Sequence, residues 1–225
     1  MFETMLVRDG RVQAQQRHLD RLAHSIGALY GLRLPAGIGD RLRTEAAALT
    51  GEHRLRVDVV PGEEVAVGTA AVASGYRRPV ALEPIVVPGG LGPHKWRDRG
   101  LLLAVAARYR GAISGCEQVP LLVDADGNAL EGAWGNFWLL DGDALITPPA
   151  DGRILPGVTR ALLLELAPAL GYHAREEPIA LQRAHRAPVT FVTSAIRLAV
   201  PATLSGRTAS PSAVVDRIGT ALAAQ

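Results

Sequence analysis

Apolar residues follow strand-like and helix-like spacings along the chain, and these spacings divide it into many short elements. Residues 2–13 alternate around an Asp9-Gly10 turn and predict a pair of short strands. The next stretch predicts a helix that ends near Gly31. One face of this helix carries apolar residues at helical spacing, namely Leu19, Leu22, Ile26 and Leu29.

The rest of the chain mixes helices with strands. Further helices are predicted over 38–50, 98–110 and 158–171, near 179–184, and from about 211. Strands are predicted over 53–62, 64–74, 81–87 and 188–195, and two hairpins turn at Asp126-Gly127 and Asp141-Gly142. This order predicts an α+β fold. The Gly/Pro-rich segment 89–93 is the predicted linker between a small N-terminal domain, 1–88, and a larger C-terminal domain, 94–225.

Composition and charge exclude several classes of protein. The formal net charge is +2 and the basic residues are scattered, which argues against a nucleic-acid surface. No apolar run is long enough for a membrane span, and the first residues carry charges where a signal peptide is apolar. A lone cysteine, Cys116, favours a reducing compartment. We therefore expect a cytoplasmic protein. No histidine has metal-ligand spacing, so we predict no metal site.

Lys95 is the only lysine among the 24 lysine and arginine residues, and it comes just after the Gly/Pro-rich segment, with His94 between them. A lysine amine that loses its proton near neutral pH can form a Schiff base with an aldehyde. Neighbouring cations favour that loss, and His94, Arg97 and Arg99 are such neighbours in sequence. The alternative is an ordinary surface lysine in a basic turn.

Other residues suggest a binding site for a ligand that carries both an aldehyde and a phosphate. Pro156-Gly157 precedes an apolar helix, whose first N–H groups favour an anion, although a plain helix start fits equally well. Glu131 ends a hairpin strand among small residues, where a buried carboxylate needs a donor such as a pyridinium or an arginine. Arg21 can hold a phosphate or belong to a solvated helix face. Thr193 and Ser194 can add hydroxyl donors or merely end a strand.

Four blocks in order resemble the class IV (fold type IV) pyridoxal-phosphate enzymes, which include branched-chain aminotransferases, D-amino-acid aminotransferases and aminodeoxychorismate lyases. The blocks are FETMLVRDGRV with RHLDRLAHS, then HKWRDR, then DADGNALEGAWGNFWLLDGDALITP with ILPGVTRALLLELA, and finally FVTSAIRLAVP. The resemblance implies a two-domain α+β fold whose N-terminal domain is shortened, with pyridoxal 5′-phosphate bound between the domains. It also implies a homodimer.

The resemblance assigns roles by position. Lys95 matches the lysine that binds the cofactor aldehyde and moves a proton, and Glu131 matches the acid on the pyridine nitrogen. Asn136 matches a structural asparagine near the cofactor. The residues that match the phosphate-binding set are Arg21, Val158, Thr159, Ser194 and Ala195. Three arginines remain open as the group that binds a substrate carboxylate, namely Arg97, Arg99 and Arg197.

Thr4 favours one branch of the family, because aminodeoxychorismate lyases carry a threonine there as proton donor. The leading hypothesis is therefore a lyase of folate biosynthesis that converts 4-amino-4-deoxychorismate into 4-aminobenzoate and pyruvate. It leaves open a partnership with an aminodeoxychorismate synthase. The second hypothesis is an aminotransferase for a small amino acid or amine, of D-amino-acid or branched-chain type. The third is a catalytically degenerate binding subunit, which intact Lys95 and Glu131 argue against.

Overall fold

The chain forms two compact units. A computed structural model describes residues 1–73, 75–108, 117–204 and 212–225, so that Cys116 and the predicted helix end at Arg110 lie outside the described residues. The N-terminal unit comprises Met1–Tyr76, the segment His94–Asp98 and the terminal Gln225. The C-terminal unit comprises Arg77–Pro93 and Arg99–Ala224.

An antiparallel sheet with the strand order β2-β1-β3-β4 forms the base of the N-terminal unit. Its strands are β1 (Phe2–Arg8), β2 (Arg11–Val12), β3 (Glu52–Asp58) and β4 (Ala66–Ala71), and its helices are α1 (Gln15–Tyr30) and α2 (Ile38–Ala47). The predicted hairpin turn is confirmed. Asp9 and Gly10 both have positive φ angles, 46° and 79°, as a tight turn between strands of right-handed twist requires.

Helix α1 packs its apolar face in the core of the N-terminal unit. Leu19, Leu22 and Ile26 are buried there together with residues of both central strands, such as Met5 and Leu55. Leu29, predicted on the same face, is 37% exposed. It lies in the last turn of α1, in which no residue is buried. Gly31 ends the helix as predicted, in the left-handed conformation that glycine adopts without strain.

The C-terminal unit is built around a mixed sheet of nine strands. The strands are β5 (Val80–Val86), β6 (Glu117–Val123), β7 (Asn128–Gly132), β8 (Gly135–Asp141), β9 (Ala144–Thr147), β10 (His173–Glu176), β11 (Ile179–Ala180), β12 (Val189–Ser194) and β13 (Leu198–Leu204). Their order is β10-β9-β8-β12-β13-β5-β6-β7-β11. The helices are α3 (Gly100–Arg108), α4 (Val158–Leu166), α5 (Leu181–Arg186) and α6 (Ala213–Ala223).

An additional pairing between β7 and β8 closes six of these strands into a ring. The ring runs β7-β8-β12-β13-β5-β6, as in a small barrel, and one face of its strands carries the main core. Alternate positions such as Leu121, Phe137 and Val200 belong to that core, while Leu122 packs in a second cluster. Trp138 and Phe191 stack with their ring centres 5.8 Å apart.

The unit boundaries differ from the predicted domains 1–88, 89–93 and 94–225. Strand β5, predicted to lie in the small domain, is hydrogen-bonded between β13 and β6 and therefore belongs to the C-terminal unit. The segment His94–Asp98 belongs to the N-terminal unit instead, because the Phe2 N–H donates to the Lys95 carbonyl. The linker predicted at 89–93 thus lies within the C-terminal unit.

Several element predictions also differ in detail. Strands β10 and β13 were not predicted, and the helix expected near 179–184 is a two-residue strand followed by α5. Helix α4 is shorter than predicted, because a separate 3-10 turn follows it at Pro168–Leu170. Within the described part of the chain, no helix is both long and apolar enough to cross a membrane.

The core position of Leu22 gives a test of the N-terminal unit. Leu22→Ala removes a side chain that is 1% exposed and leaves a cavity, so we expect a loss of about 2–5 kcal/mol in the free energy of unfolding. Leu29→Ala, on the same helix but exposed, should cost less than about 1 kcal/mol. Urea denaturation followed by circular dichroism measures both. Equal losses would contradict the packing of α1.

Candidate active site

Strand β1 holds Lys95 within the N-terminal unit. The Phe2 N–H donates to the Lys95 carbonyl over 3.2 Å, and the lysine Nζ lies 4.8 Å from the centre of the Phe2 ring. The Arg56 guanidinium contacts the same ring at 4.0 Å. Contact between a cation and an aromatic ring is attractive, so Phe2 helps to fix the position of the lysine side chain.

The residues around Lys95 are tied to α1. His94 Nδ1 lies 3.0 Å from the hydroxyl of Ser25, a residue that is 2% exposed. The His94 ring also contacts the rings of His24 and Trp96, with ring centres 6.4 Å and 6.0 Å apart. The sequence HKW is therefore a structured part of the N-terminal unit, which disfavours the alternative of a lysine in an ordinary surface turn.

A buried carboxylate lies next to Thr4 on the same strand. Glu3 is 1% exposed and accepts hydrogen bonds from Arg21 Nε and Nη2, both over 2.8 Å. His18 Nδ1 lies 2.9 Å from the second Glu3 oxygen, and the Thr4 N–H lies 3.3 Å from it. Burial alone would raise the pKa of Glu3, but the charge of Arg21 and the donors of both side chains outweigh it. They lower that pKa from 4.5 to about 2.

His18 completes this cluster as a neutral donor. Its burial lowers the pKa of the imidazole, which the hydrogen bond to Glu3 only partly opposes, and the nearby charges of Arg21 and Lys95 lower it further. A neutral ring that donates to Glu3 carries its proton on Nδ1. The sequence singled out Arg21 but missed Glu3 and His18. The available signal was an acid whose i±2 neighbours, Met1 and Met5, are apolar and share its strand face.

A second cluster lies in the C-terminal unit, where β7 pairs with β8. Glu131 is 7% exposed and accepts a hydrogen bond from the Leu155 N–H over 3.2 Å. Asn136, its partner in the strand register, places Nδ2 at 3.4 Å from Glu131 Oε2 and at 2.9 Å from the Leu155 carbonyl. Asn136 therefore connects the acid to the loop that leads into α4.

The start of α4 packs directly on this asparagine. A Cβ atom at Gly157 would lie 1.9 Å from Asn136 Oδ1, so only glycine allows the loop to approach this closely. Gly157 is also the N-cap residue of α4, and Val158 and Thr159 form the buried first turn. The first N–H groups of a helix point outward along its axis and favour an anion.

Ser194 and Ala195 lie at the end of β12, beside the Gly135 position of β8. A Cβ atom at Gly135 would lie 2.5 Å from the Thr193 carbonyl, which shows how closely the two strands approach there. The Ser194 hydroxyl accepts from the Arg197 N–H over 3.3 Å. The C-terminal unit thus contains six of the predicted cofactor residues, namely Glu131, Asn136, Val158, Thr159, Ser194 and Ala195.

The three arginines considered for a substrate carboxylate have different surroundings. Arg97 is largely exposed, with Nε 3.5 Å from Asp58. Arg99 donates to the Ala133 carbonyl. Arg197 makes two hydrogen bonds to Glu117, over 2.6 Å and 3.0 Å, and its guanidinium lies 4.1 Å from the centre of the Trp134 ring.

Comparison with known proteins identifies the family. The family model described as amino-transferase class IV matches residues 91–204, just over half of the chain. The chain belongs to the class IV amino-transferase family. The predicted two-domain α+β fold of this family is confirmed.

Individual relatives agree with this assignment. A probable branched-chain-amino-acid aminotransferase of Streptomyces coelicolor is 35% identical over 101 residues, which cover 44% of this chain and 28% of that protein. The chain spans only about a third or less of the length of the curated relatives that it matches.

Solved structures match over the whole chain. A hypothetical aminotransferase from Mycobacterium tuberculosis, in its PLP-bound form, has a TM-score of 0.84 at 23% identity, covering 100% of this chain and 87% of that one. The 4-amino-4-deoxychorismate lyase of Pseudomonas aeruginosa has a TM-score of 0.77 at 23% identity, covering 99% and 89%. Both an aminotransferase and a lyase therefore share this class IV fold.

The residues of each unit suit the cofactor of the family, pyridoxal 5′-phosphate. The N-terminal unit supplies the single lysine and an arginine held by a buried carboxylate. The C-terminal unit supplies a buried acid and a helix start, and the cradle at Gly157 has no room for a side chain. Together these are the groups that an aldehyde, a pyridine nitrogen and a phosphate require.

The depressed pKa of Glu3 predicts how stability depends on pH. Because its folded pKa of about 2 lies below the ordinary 4.5, the ionised group stabilises the fold above about pH 4.5. This stabilisation, about 3 kcal/mol, is lost as the pH falls towards 2. We expect Glu3→Gln to lower stability at neutral pH and to flatten its decline between pH 4.5 and 2, as measured by urea denaturation.

The control is Glu45→Gln, which changes an exposed carboxylate on α2 of the same unit. It should follow the wild-type curve. If Glu3→Gln also followed that curve, the ion pair with Arg21 would contribute nothing to stability.

Proposed function

We propose that the protein is a pyridoxal-phosphate-dependent lyase that converts 4-amino-4-deoxychorismate into 4-aminobenzoate and pyruvate. The observation that carries this proposal is the position of Thr4. Side chains alternate along a strand, so Phe2 and Thr4 lie on one face of β1 while Glu3 lies on the other. Since the Lys95 Nζ contacts the Phe2 ring, a hydroxyl group lies on the strand face that the lysine uses.

The proposed reaction needs one proton to leave carbon and another to arrive. When bound, pyridoxal phosphate draws electrons from the carbon that bears the substrate amine. Lys95 then accepts the proton of that carbon, and Thr4 donates a proton to the methylene carbon of the enolpyruvyl group. The carbon–oxygen bond to the ring breaks, the ring becomes aromatic, and pyruvate leaves. The atoms balance without an oxidant or an added amino donor.

The remaining residues bind and orient the cofactor in this proposal. Glu131, held by Asn136 and the Leu155 N–H, keeps the pyridine nitrogen protonated. Arg21 and the N–H groups at the start of α4 bind the phosphate.

Thr4→Val tests the lyase proposal, because it keeps the shape of the side chain and removes the hydroxyl. We expect a decrease in lyase kcat of about 10²–10⁴-fold, while Thr4→Ser retains most of the activity. The assay supplies 4-amino-4-deoxychorismate without an amino donor and measures 4-aminobenzoate by chromatography and pyruvate with a coupled dehydrogenase. Thr69→Val, at an exposed position of β4, is the matched control.

Unchanged turnover in Thr4→Val would exclude the hydroxyl as proton donor. Lys95→Ala should abolish turnover and also the bond that borohydride fixes between protein and cofactor, which peptide mass spectrometry locates. A wild-type protein without that bond would contradict both enzymatic proposals and support a binding subunit.

The second candidate is an aminotransferase of branched-chain or D-amino-acid type. It is favoured by the 35% identity to the Streptomyces coelicolor relative. Formation of glutamate from 2-oxoglutarate and an amino-acid donor, together with no release of 4-aminobenzoate, would replace the lyase proposal with this one. An assay with L- and D-donors separates the two types.

The proposal includes a homodimer. Apolar side chains are exposed on the C-terminal unit at Val86, Leu101 and Leu103, by 69%, 55% and 62%, and a second copy can cover such residues. Light scattering should give about twice the 23.8 kDa of one chain. A mass of one chain at micromolar concentration would contradict the dimer.

A further inference from the structure

We propose that Glu3 is a positioning residue that sets the direction of the Arg21 guanidinium and thereby the affinity for the phosphate of the cofactor. This inference rests on the proposed function, in which Arg21 binds that phosphate. It adds a residue that neither contacts the cofactor nor belongs to the predicted site.

The geometry of the ion pair supports positioning. Glu3 Oε1 accepts a hydrogen bond from Arg21 Nε, and Glu3 Oε2 accepts one from Arg21 Nη2. Both hydrogen bonds are 2.8 Å long. A guanidinium is planar and rigid, so two bonds along one edge also fix the direction of its other N–H groups. A single bond would leave the group able to turn.

The side chains of Glu3 and Arg21 differ in burial, and this difference separates their proposed roles. The Glu3 side chain is 1% exposed, whereas that of Arg21 is 11% exposed. Glu3 is thus enclosed among protein groups, while Arg21 reaches the boundary of the N-terminal unit. An anion from solution meets the arginine, and the carboxylate acts on it only through the arginine.

The net charge of the cluster formed by Glu3, His18 and Arg21 makes the direction of its donors important for binding an anion. Glu3 stays ionised and His18 stays neutral near pH 7, so with Arg21 they sum to no net charge. A neutral cluster attracts an anion weakly at long range, and its affinity depends on donors that already point the right way.

Strand β1 contacts both Lys95 and Arg21. The Phe2 N–H holds the Lys95 backbone, and the next residue, Glu3, holds Arg21. Lys95 is close enough to the cluster for its charge to lower the pKa of His18. One short strand thus fixes the amine for the aldehyde and the arginine for the phosphate.

The test compares two ligands that differ only in the phosphate, pyridoxal 5′-phosphate and pyridoxal. The full chain, stripped of cofactor, is titrated with each ligand by fluorescence quenching and by calorimetry. We expect Glu3→Gln to weaken pyridoxal phosphate binding by about tenfold and to leave pyridoxal binding unchanged. Glu3→Asp, which keeps the charge but shortens the side chain, should weaken it by a smaller factor.

Three alternatives predict different results, and each would overturn the proposal. A charge effect alone predicts tighter phosphate binding in Glu3→Gln, because Arg21 loses its counter-charge. A merely structural role predicts an equal loss for both ligands. No role at all predicts wild-type affinities. Glu52→Gln is the matched control, since Glu52 forms the Arg8 ion pair in the same sheet and should leave both affinities unchanged.

A double variant tests whether Glu3 acts through the arginine. In an Arg21→Gln background, Glu3→Gln should cause no further loss of phosphate-dependent affinity, and an additive loss would contradict the proposal. A different result would contradict the proposed function itself, namely that the wild-type protein binds pyridoxal phosphate no more tightly than pyridoxal. Melting temperatures, measured without ligand, show that each variant is folded during the titrations.

Discussion

A carboxylate that is removed from water must be surrounded by donors, and this constraint shapes the functional part of each unit. An unpaired buried charge would cost several kcal/mol, more than a fold of ordinary stability tolerates at many positions. In the N-terminal unit, α1 places an arginine and a histidine on Glu3. In the C-terminal unit, a side-chain amide and a loop N–H approach Glu131. The local conformations follow from those contacts.

The two carboxylates differ in the contacts that surround them. Glu3 is paired with a full positive charge and is held ionised far below neutral pH. Glu131 lies 3.2 Å from the Leu155 N–H and 3.4 Å from Asn136 Nδ2, and both contacts are longer than those of Arg21 to Glu3.

Local patterns in the sequence predicted local structure well. The Asp-Gly turns, the face of α1 and the start of α4 depend on neighbours within a few residues, and all are present except that Leu29 at the end of α1 is exposed. Strand β13 was missed because Pro201 interrupts its pattern. The structure accepts this proline because β13 pairs with β5 only from Ala202 onward. The domain boundary was missed because the partners of β5 are distant in sequence.

In the candidate site too, residues marked by local sequence were predicted, whereas those that depend on tertiary packing were not. Lys95, Glu131, Arg21 and the start of α4 stood out by residue type and by resemblance to a family. Glu3 did not, because its partners Arg21 and His18 come from the packing of α1 over β1, and the spacing shows only that the acid shares a strand face with apolar residues. Gly157 is similar: its need for glycine comes from the approach of Asn136 and not from its own φ angle.

The closure of the six-stranded ring also bears on how the protein is synthesised. Strand β5 needs β13 as a neighbour, through pairs such as Val80 with Ala202, so an emerging chain holds β5 with one open edge until β13 has left the ribosome. The four-strand sheet of the N-terminal unit involves no strand beyond Ala71 and can assemble much earlier. The order of translation therefore favours folding from the amino terminus, with the larger unit exposed to misassembly for longest.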